Sequence, residues 1–333
     1  MNRVLKKIAK KLLSVLPVPK ADWTVKKVVK FYETVQDEKE LALTHRKQGT
    51  RLNFSHYLPG TEERIERLRR VVNKRPVAII LHGPSAKELE ARITELRDCD
   101  ICYFSLNAFR IPEEHILQKI NRNLSLVMYT AIAGLKIQIK NVMDFLEREE
   151  DNIFISARES FYLQEMPPGF DLDEFIKKYD KKLLFFTPTY TVITLSGRLL
   201  PRVPSIVYPL HFPAQGSFSI LLSLALMGEA PLVTIFGGDG GRIEGQELFY
   251  KEYGDSYGVS KPEAVVERGL MTDTRLFNAT MPVLSEEIYK IYNLKPVDII
   301  NCSERSNYTP LRKLSYDETF AILKSFGKDT AST

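Results

Sequence analysis

Two short runs decide the fold: VAIILHGPSAKE at residues 77–88 and LVTIFGGDGGR at residues 232–242. Each begins as an unbroken apolar stretch of strand length, rich in Val and Ile, and stops in glycine. The first run then enters a helical pattern near Ala86, with Ser85 as a candidate N-cap and Glu88 three residues on to complete a capping box. Continuous apolar strands belong to sheets buried on both faces. Similar runs stand at Ile101–Ser105, Ser125–Tyr129, Ile153–Ser156, Lys182–Phe186 and Val297–Asn301. Helix-period segments lie between several of them, at Ala86–Leu96, Glu113–Ile120, Gln138–Glu147 and Ser285–Tyr292. This alternation predicts an α/β fold: a Rossmann-like, mainly parallel sheet with helices on both faces over residues 75–330, preceded by an N-terminal helical appendage.

Composition agrees with a globular body. The chain has 333 residues, 44% apolar and 27% charged, which excludes wholesale disorder and collagen-like structure. Three cysteines, Cys99, Cys102 and Cys302, are too few for a disulfide scaffold and suit a reducing compartment. Cys99 and Cys102 have metal-type spacing but no second pair, so no metal centre is expected from them. Residues 1–30 carry nine Lys or Arg against one acid, Asp22, a net +8 in a chain of net +5, which leaves the other 303 residues at −3. A body of that charge is no nucleic-acid binder.

The excess charge sits on residues 1–20, read as a basic amphipathic helix. Val4, Leu5, Ile8, Leu12, Val15 and Leu16 share one face, and Arg3, Lys6, Lys7, Lys10 and Lys11 the other. Such a face suits an anionic membrane surface, reached through residues 1–16, or docking on the body or on a second copy of the chain. Residues 21–74 read as a charged helical appendage. Phe218–Phe236 is apolar enough to suggest a span, but Gly228-Glu229-Ala230-Pro231 interrupts it, so a buried helix followed by a buried strand is expected. The expected location is cytoplasmic, with peripheral attachment at the inner face of the cell membrane through the N-terminal helix.

Parallel sheets bind ligands at the carboxyl ends of their strands, which makes the residues after each strand the candidates. His82-Gly83-Pro84-Ser85 forms a turn whose glycine admits a ligand and whose helix start favours a phosphate. Asn107 follows the second strand and can meet a base or ribose edge. Gly216 and Ser217 open a second helix, with Gly228 as its stop. Asp239 lies among four glycines, placed to hold a sugar hydroxyl, a ribose or a divalent cation. Residues 242–275 read as a lid, with Tyr250, Tyr253 and Tyr257 among Lys251, Gly254, Asp255 and Gly258; Arg268 and Arg275 are further phosphate contacts. Gly238, Arg242, Asn301 and Ser303 complete a substrate pocket. His82 and His211, beside the two glycine entries, are the histidines considered for proton transfer.

Taken together, Gly83-Pro84-Ser85, Asn107, the Gly216-Ser217 entry, Gly237-Gly238-Asp239 and Asn301-Cys302-Ser303 resemble the MptE-like family, named for 6-hydroxymethylpterin diphosphokinase. That family includes the motility-associated-factor glycosyltransferases and is distantly similar to bacterial sialyltransferases that use CMP-sialic acid. The resemblance covers about residues 75–320. It implies a nucleotide phosphate at Gly83, Pro84 and Ser85, the nucleoside near Asn107 and Ser217, and a phosphate-contacting lid at Tyr250–Tyr257. The sialyltransferases use a histidine downstream of the lid as general base, and this chain has no histidine after His211. Proton removal then falls to Asp239, Glu244, His82 or His211.

The function these expectations favour is a glycosyltransferase that takes a nucleotide-activated sugar, CMP-linked by the resemblance, for surface-glycan assembly. Its partners would be a nucleotide-sugar donor and a glycan, lipid-linked or protein acceptor. One alternative is an ATP-dependent pyrophosphokinase of the hydroxymethylpterin type, with Mg²⁺ on Asp239. Another is a non-catalytic nucleotide- or glycan-binding protein.

Overall fold

The computed structural model describes residues 61–106, 112–129, 135–148, 151–157, 168–189, 192–193, 199–200, 211–213, 217–240 and 293–329, with single residues and pairs between 274 and 289. Helix α1 (Thr61–Val72) leads into β1 (Val77–Ile80). There follow α2 (Ala86–Arg92), β2 (Cys102–Leu106), α3 (Pro112–Gln118), β3 (Leu126–Tyr129), α4 (Leu135–Leu146), β4 (Ile153–Ala157), α5 (Leu172–Tyr179) and β5 (Leu183–Thr189). The short strands β6 (Val192–Ile193) and β7 (Leu199–Leu200) pair antiparallel with each other. The chain continues through β8 (His211–Pro213), α6 (Ser217–Met227), β9 (Leu232–Phe236), β10 (Asp298–Asn301), β11 (Arg312–Lys313) and α7 (Tyr316–Asp329).

Among the described residues, nine strands form one sheet in the order β11-β10-β9-β1-β2-β3-β4-β5-β8, and every pairing in it is parallel. This is the expected Rossmann-like α/β architecture. β1 is flanked by β2 on one side and β9 on the other, with Val77 opposite both Cys102 and Val233. The chain builds outward from β1 through β5 and β8, then returns to the other side of β1. The order therefore reverses between β1 and β9, the position at which open α/β sheets leave a crevice.

Alternate residues face opposite layers, as a pleated sheet requires. Val77, Ile79, Phe104, Met128, Val233 and Ile235 share one core with α1 and α6. Helix α6 is buried from Phe218 through Met227, so its apolar surround marks a central helix, as expected for this stretch. On the opposite face Phe236 packs against Tyr316 and Phe320 of α7 at ring separations of 5.5 and 6.1 Å. No helix among the described residues is long and apolar enough to cross a membrane.

Several expectations shift. Residues 61–72 fall within the span read as an appendage, yet Leu68, Val71 and Val72 are buried in the core shared with α6. The chain divides at 58/59. Residues 1–60, which include the stretch read as an amphipathic helix, lie outside the described residues. The helix expected over Ala86–Leu96 is α-helical to Arg92 and continues as a 3-10 turn over Ile93–Leu96. Gly228 is not the left-handed stop of α6. Glu229 takes that conformation, φ 61°, and the Ala230 amide reaches the Ala225 carbonyl at 3.2 Å while that of Glu229 reaches Leu226 at 3.0 Å, a Schellman closure. Arg69 offsets the strain with an ion pair to Glu229 at 2.8 Å. Glycine is needed at 228 for another reason: a Cβ there would stand 2.6 Å from Val72 Cγ2 of α1.

Helix α7 starts in a capping box. The Ser315 amide donates to Glu318 Oε2 at 2.9 Å, and the Glu318 amide donates to Ser315 Oγ at 3.3 Å. Its flank is tied to α2 by Arg92, which meets Asp317 and Glu95 at 2.7 Å each, and by Lys324 on Glu95 at 3.0 Å. The Arg92 hydrogen bond, then that of Lys324, pulls the Glu95 carboxyl from 4.5 down to about 2. A depressed carboxylate stabilises above its ordinary value and loses that contribution as pH falls. The protection factors of the α7 amides, with the intrinsic pH dependence of exchange divided out, are therefore expected to fall between about pH 4.5 and 2, and Glu95→Gln to flatten that dependence. An α7 profile identical in both proteins would refute it.

All three cysteines are free and buried. Burial pushes Cys102 up to about 11 and Cys302 up to about 12, so neither is a thiolate near neutrality.

Candidate functional site

The glycine turns after β1 and β9 meet at the reversal of strand order. The Leu81 amide donates to the Phe236 carbonyl at 2.8 Å, and that of Gly83 to Gly237 at 3.0 Å. The two strands thus stay paired past their formal ends. This closeness explains both glycines. A Cβ on Gly83 would lie 2.3 Å from Asp239 Oδ2 and 2.4 Å from the Gly237 carbonyl oxygen; one on Gly237, φ +72°, would lie 2.3 Å from the Leu81 carbonyl. No side chain fits.

Asp239 is the centre of the arrangement. It is 2% exposed. Its Oδ2 accepts the Ser85 amide at 3.0 Å, its Oδ1 accepts the Ser303 hydroxyl, and its carbonyl accepts the Asn307 amide at 2.9 Å. Turns 154 residues apart are joined by one carboxylate. Beneath it Asn301, fully buried, donates from Nδ2 to the Gly238 carbonyl at 2.8 Å and to Ser306 Oγ at 2.9 Å, while its Oδ1 accepts the Ser303 amide at 3.1 Å. Ser306 donates to the Gly238 carbonyl at 2.6 Å.

These contacts correct four expectations. Asp239 was expected as a base or Mg²⁺ ligand, but both oxygens accept from protein donors and the side chain is shielded from solvent. Among the described residues no group of three or more histidine, cysteine, aspartate or glutamate side chains could hold a metal ion, so those residues do not fit a divalent ion. Gly238, Asn301 and Ser303 were expected to touch substrate; all three are buried, and both side chains are committed to the turns. Together they form the floor that holds the loops.

The β1 turn also departs from the expected phosphate cradle. Ser85 has helical dihedrals, φ −63° and ψ −16°, and its side chain caps nothing, so the expected capping box is not made. Its hydroxyl oxygen is buried with no hydrogen-bond partner. Each amide from Gly83 to Glu88 has an acceptor: Gly83 on Gly237, Ser85 on Asp239, and Ala86, Lys87 and Glu88 on the carbonyls of Gly83, Pro84 and Ser85. Pro84 has no amide to offer. The place an anion would take at this helix start is held by the chain's own carboxylate. His82, at the strand end, is partly exposed.

The start of α6 reaches the same edge. Phe218 stacks on Phe277 at 4.7 Å and meets Tyr308 at 4.9 Å, and Tyr308 flanks Gly240, where a Cβ would lie 3.2 Å from its ring. Thr274 Oγ1 donates to the Gly240 carbonyl at 2.9 Å. Ser217 directly precedes Phe218 and is partly exposed. His211 does not join them: it opens β8, the far edge of the sheet, with β2 to β5 between it and β1. Asn107, Gly216, Arg242, Glu244, Tyr250, Tyr253, Tyr257, Arg268 and Arg275 lie outside the described residues, as does most of the expected lid. Asn107 directly follows Leu106, the last residue of β2. Sequence reading missed Ser306 and Tyr316, which no short motif marks. No protein-family model, curated protein or solved structure matches the chain.

Proposed function

We propose that the chain is a transferase that binds a nucleotide-activated sugar at the carboxyl edge of its sheet, around the β1–β9 reversal, and delivers the sugar to a glycan, lipid-linked or protein acceptor. The observation that carries this reading is the convergence of the Gly83–Ser85 turn, the Gly237–Gly240 turn, the 301–308 loop and the start of α6 on one edge. A rim built from four distant segments, three of them glycine- or serine-rich, suits a polar ligand brought close to backbone.

The turn after β1 shapes the floor, because its amides are spent within the protein. The departing phosphate falls to Ser217 and the opening of α6, whose dipole favours negative charge, and to the tyrosine hydroxyls, Arg268 and Arg275 of segment 242–275. The acceptor proton falls to His82 or Glu244. Asp239 holds the loops rather than reacting. An Mg²⁺-dependent pyrophosphokinase is the less favoured reading on the same ground, since Asp239 is already engaged. A binding protein without turnover keeps the same edge.

Thermal unfolding with CMP, CDP, UDP and ATP, each with and without Mg²⁺, tests the proposal. A cytidine or uridine nucleotide that raises Tm without metal, by a few degrees at about one hundred times its Kd, is the expected result. A response confined to ATP with Mg²⁺ would replace the transferase by the kinase, and silence across the panel would remove the nucleotide.

A further inference from the structure

Helix α2 is only seven residues long, too short to hold its own start. Its N-terminal turn is gripped from two sides by residues far away in sequence. Asp239 takes the Ser85 amide. On the other side of that residue the Tyr316 hydroxyl, 231 positions away, donates to the Ser85 carbonyl at 2.9 Å, with the Leu89 amide also facing the hydroxyl. Tyr316 is 4% exposed, and its ring is wedged between Phe236 at the end of β9 and Phe320 one turn along α7. Burial pushes its hydroxyl well above the ordinary value of 10, so it remains a donor at every working pH.

We infer that Tyr316 is a positioning residue: through the Ser85 carbonyl it couples the C-terminal helix to the turn that shapes the proposed site, so that α7 and the start of α2 open and close together. The ring anchors α7 to the end of β9; the hydroxyl carries that anchorage to Ser85. Without the hydroxyl, Ser85 keeps only the Asp239 bond and its contact with the Glu88 amide at 3.2 Å, and the turn gains freedom while the aromatic packing stays. The significance for ligand binding rests on the proposed function; the coupling itself does not.

Two variants of the full chain, studied without any nucleotide, test it by backbone hydrogen exchange over residues 82–90. Tyr316→Phe keeps both ring contacts and removes one hydrogen bond. It is expected to speed exchange of the Ser85–Leu89 amides about fivefold, the equivalent of one ordinary bond, and to leave β1, β2 and β9 unchanged. Arg92→Gln instead cuts the exposed ties between α2 and α7 and is expected to leave the turn within twofold of wild type. Unchanged turn rates in Tyr316→Phe overturn the inference. So does acceleration spread evenly over the strands, or a turn loosened as much by Arg92→Gln. A nucleotide panel silent on the wild type would remove the proposed ligand, and the exchange rates would still decide the coupling.

Discussion

Gly83→Ala is expected to lower stability by about 3 kcal/mol, at the upper end of the range for forcing an extra methyl group into a packed interior, and Tm by roughly 5–10 °C. The added methyl would sit 2.3 Å from Asp239 Oδ2 and 2.4 Å from the Gly237 carbonyl oxygen. One neighbour is backbone and the other is pinned by Ser85 and Ser303, so neither yields cheaply. Relief requires the two turns to part, which breaks the Gly83–Gly237 bond and stretches the Ser85–Asp239 bond. Gly169→Ala is the matching control. Gly169 has φ +81° with nothing within 4 Å of its would-be Cβ, so only backbone strain is incurred, about 1 kcal/mol. Chemical denaturation of both variants measures the difference. Equal losses would mean that the turns after β1 and β9 are not packed as described.

The layered sheet was legible in the sequence because each buried strand carries its own signal: the apolar run Leu232–Phe236 matches β9 at both ends. Helix α1 was misplaced because TEERIERLRRVV is highly charged, and only the stripe Ile65, Leu68, Val71 and Val72, now in the core, betrays its inward face. At the carboxyl edge, the sequence marked turns that the structure brings together, but not what Asp239 does between them. A carboxylate among glycines looks the same whether it awaits a substrate or holds a neighbouring turn; the difference lies in the Ser85 amide and the Ser303 hydroxyl, 154 and 64 positions away. His211 sits beside a glycine entry in the chain, yet strand order carries β8 to the sheet's edge. Pairings over such separations leave no local periodicity to read.

That distinction has a direct experimental form in Asp239. Asp239→Ala strands the Ser85 amide and the Ser303 hydroxyl in a buried space, and each unsatisfied donor costs about 1–3 kcal/mol; a total loss near 3 kcal/mol is expected. Asp239→Asn keeps the shape. Its side-chain oxygen can accept from Ser85 and its amide can donate to Ser303 Oγ, so a loss of about 1 kcal/mol or less is expected. A base or a metal ligand would behave otherwise, since Asn can neither take a proton nor supply charge, and turnover would fall at least a hundredfold with the fold intact. A structural clasp predicts the opposite ranking, with Asn close to wild type in stability and nucleotide affinity and Ala impaired in both. Ser303→Ala, combined with Asp239→Ala in a double-mutant cycle, should show a coupling of about 1 kcal/mol or more, because each variant removes the partner of the other. Independent effects there, or an Asn variant that folds normally and loses all turnover, would return Asp239 from the floor of the site to its chemistry.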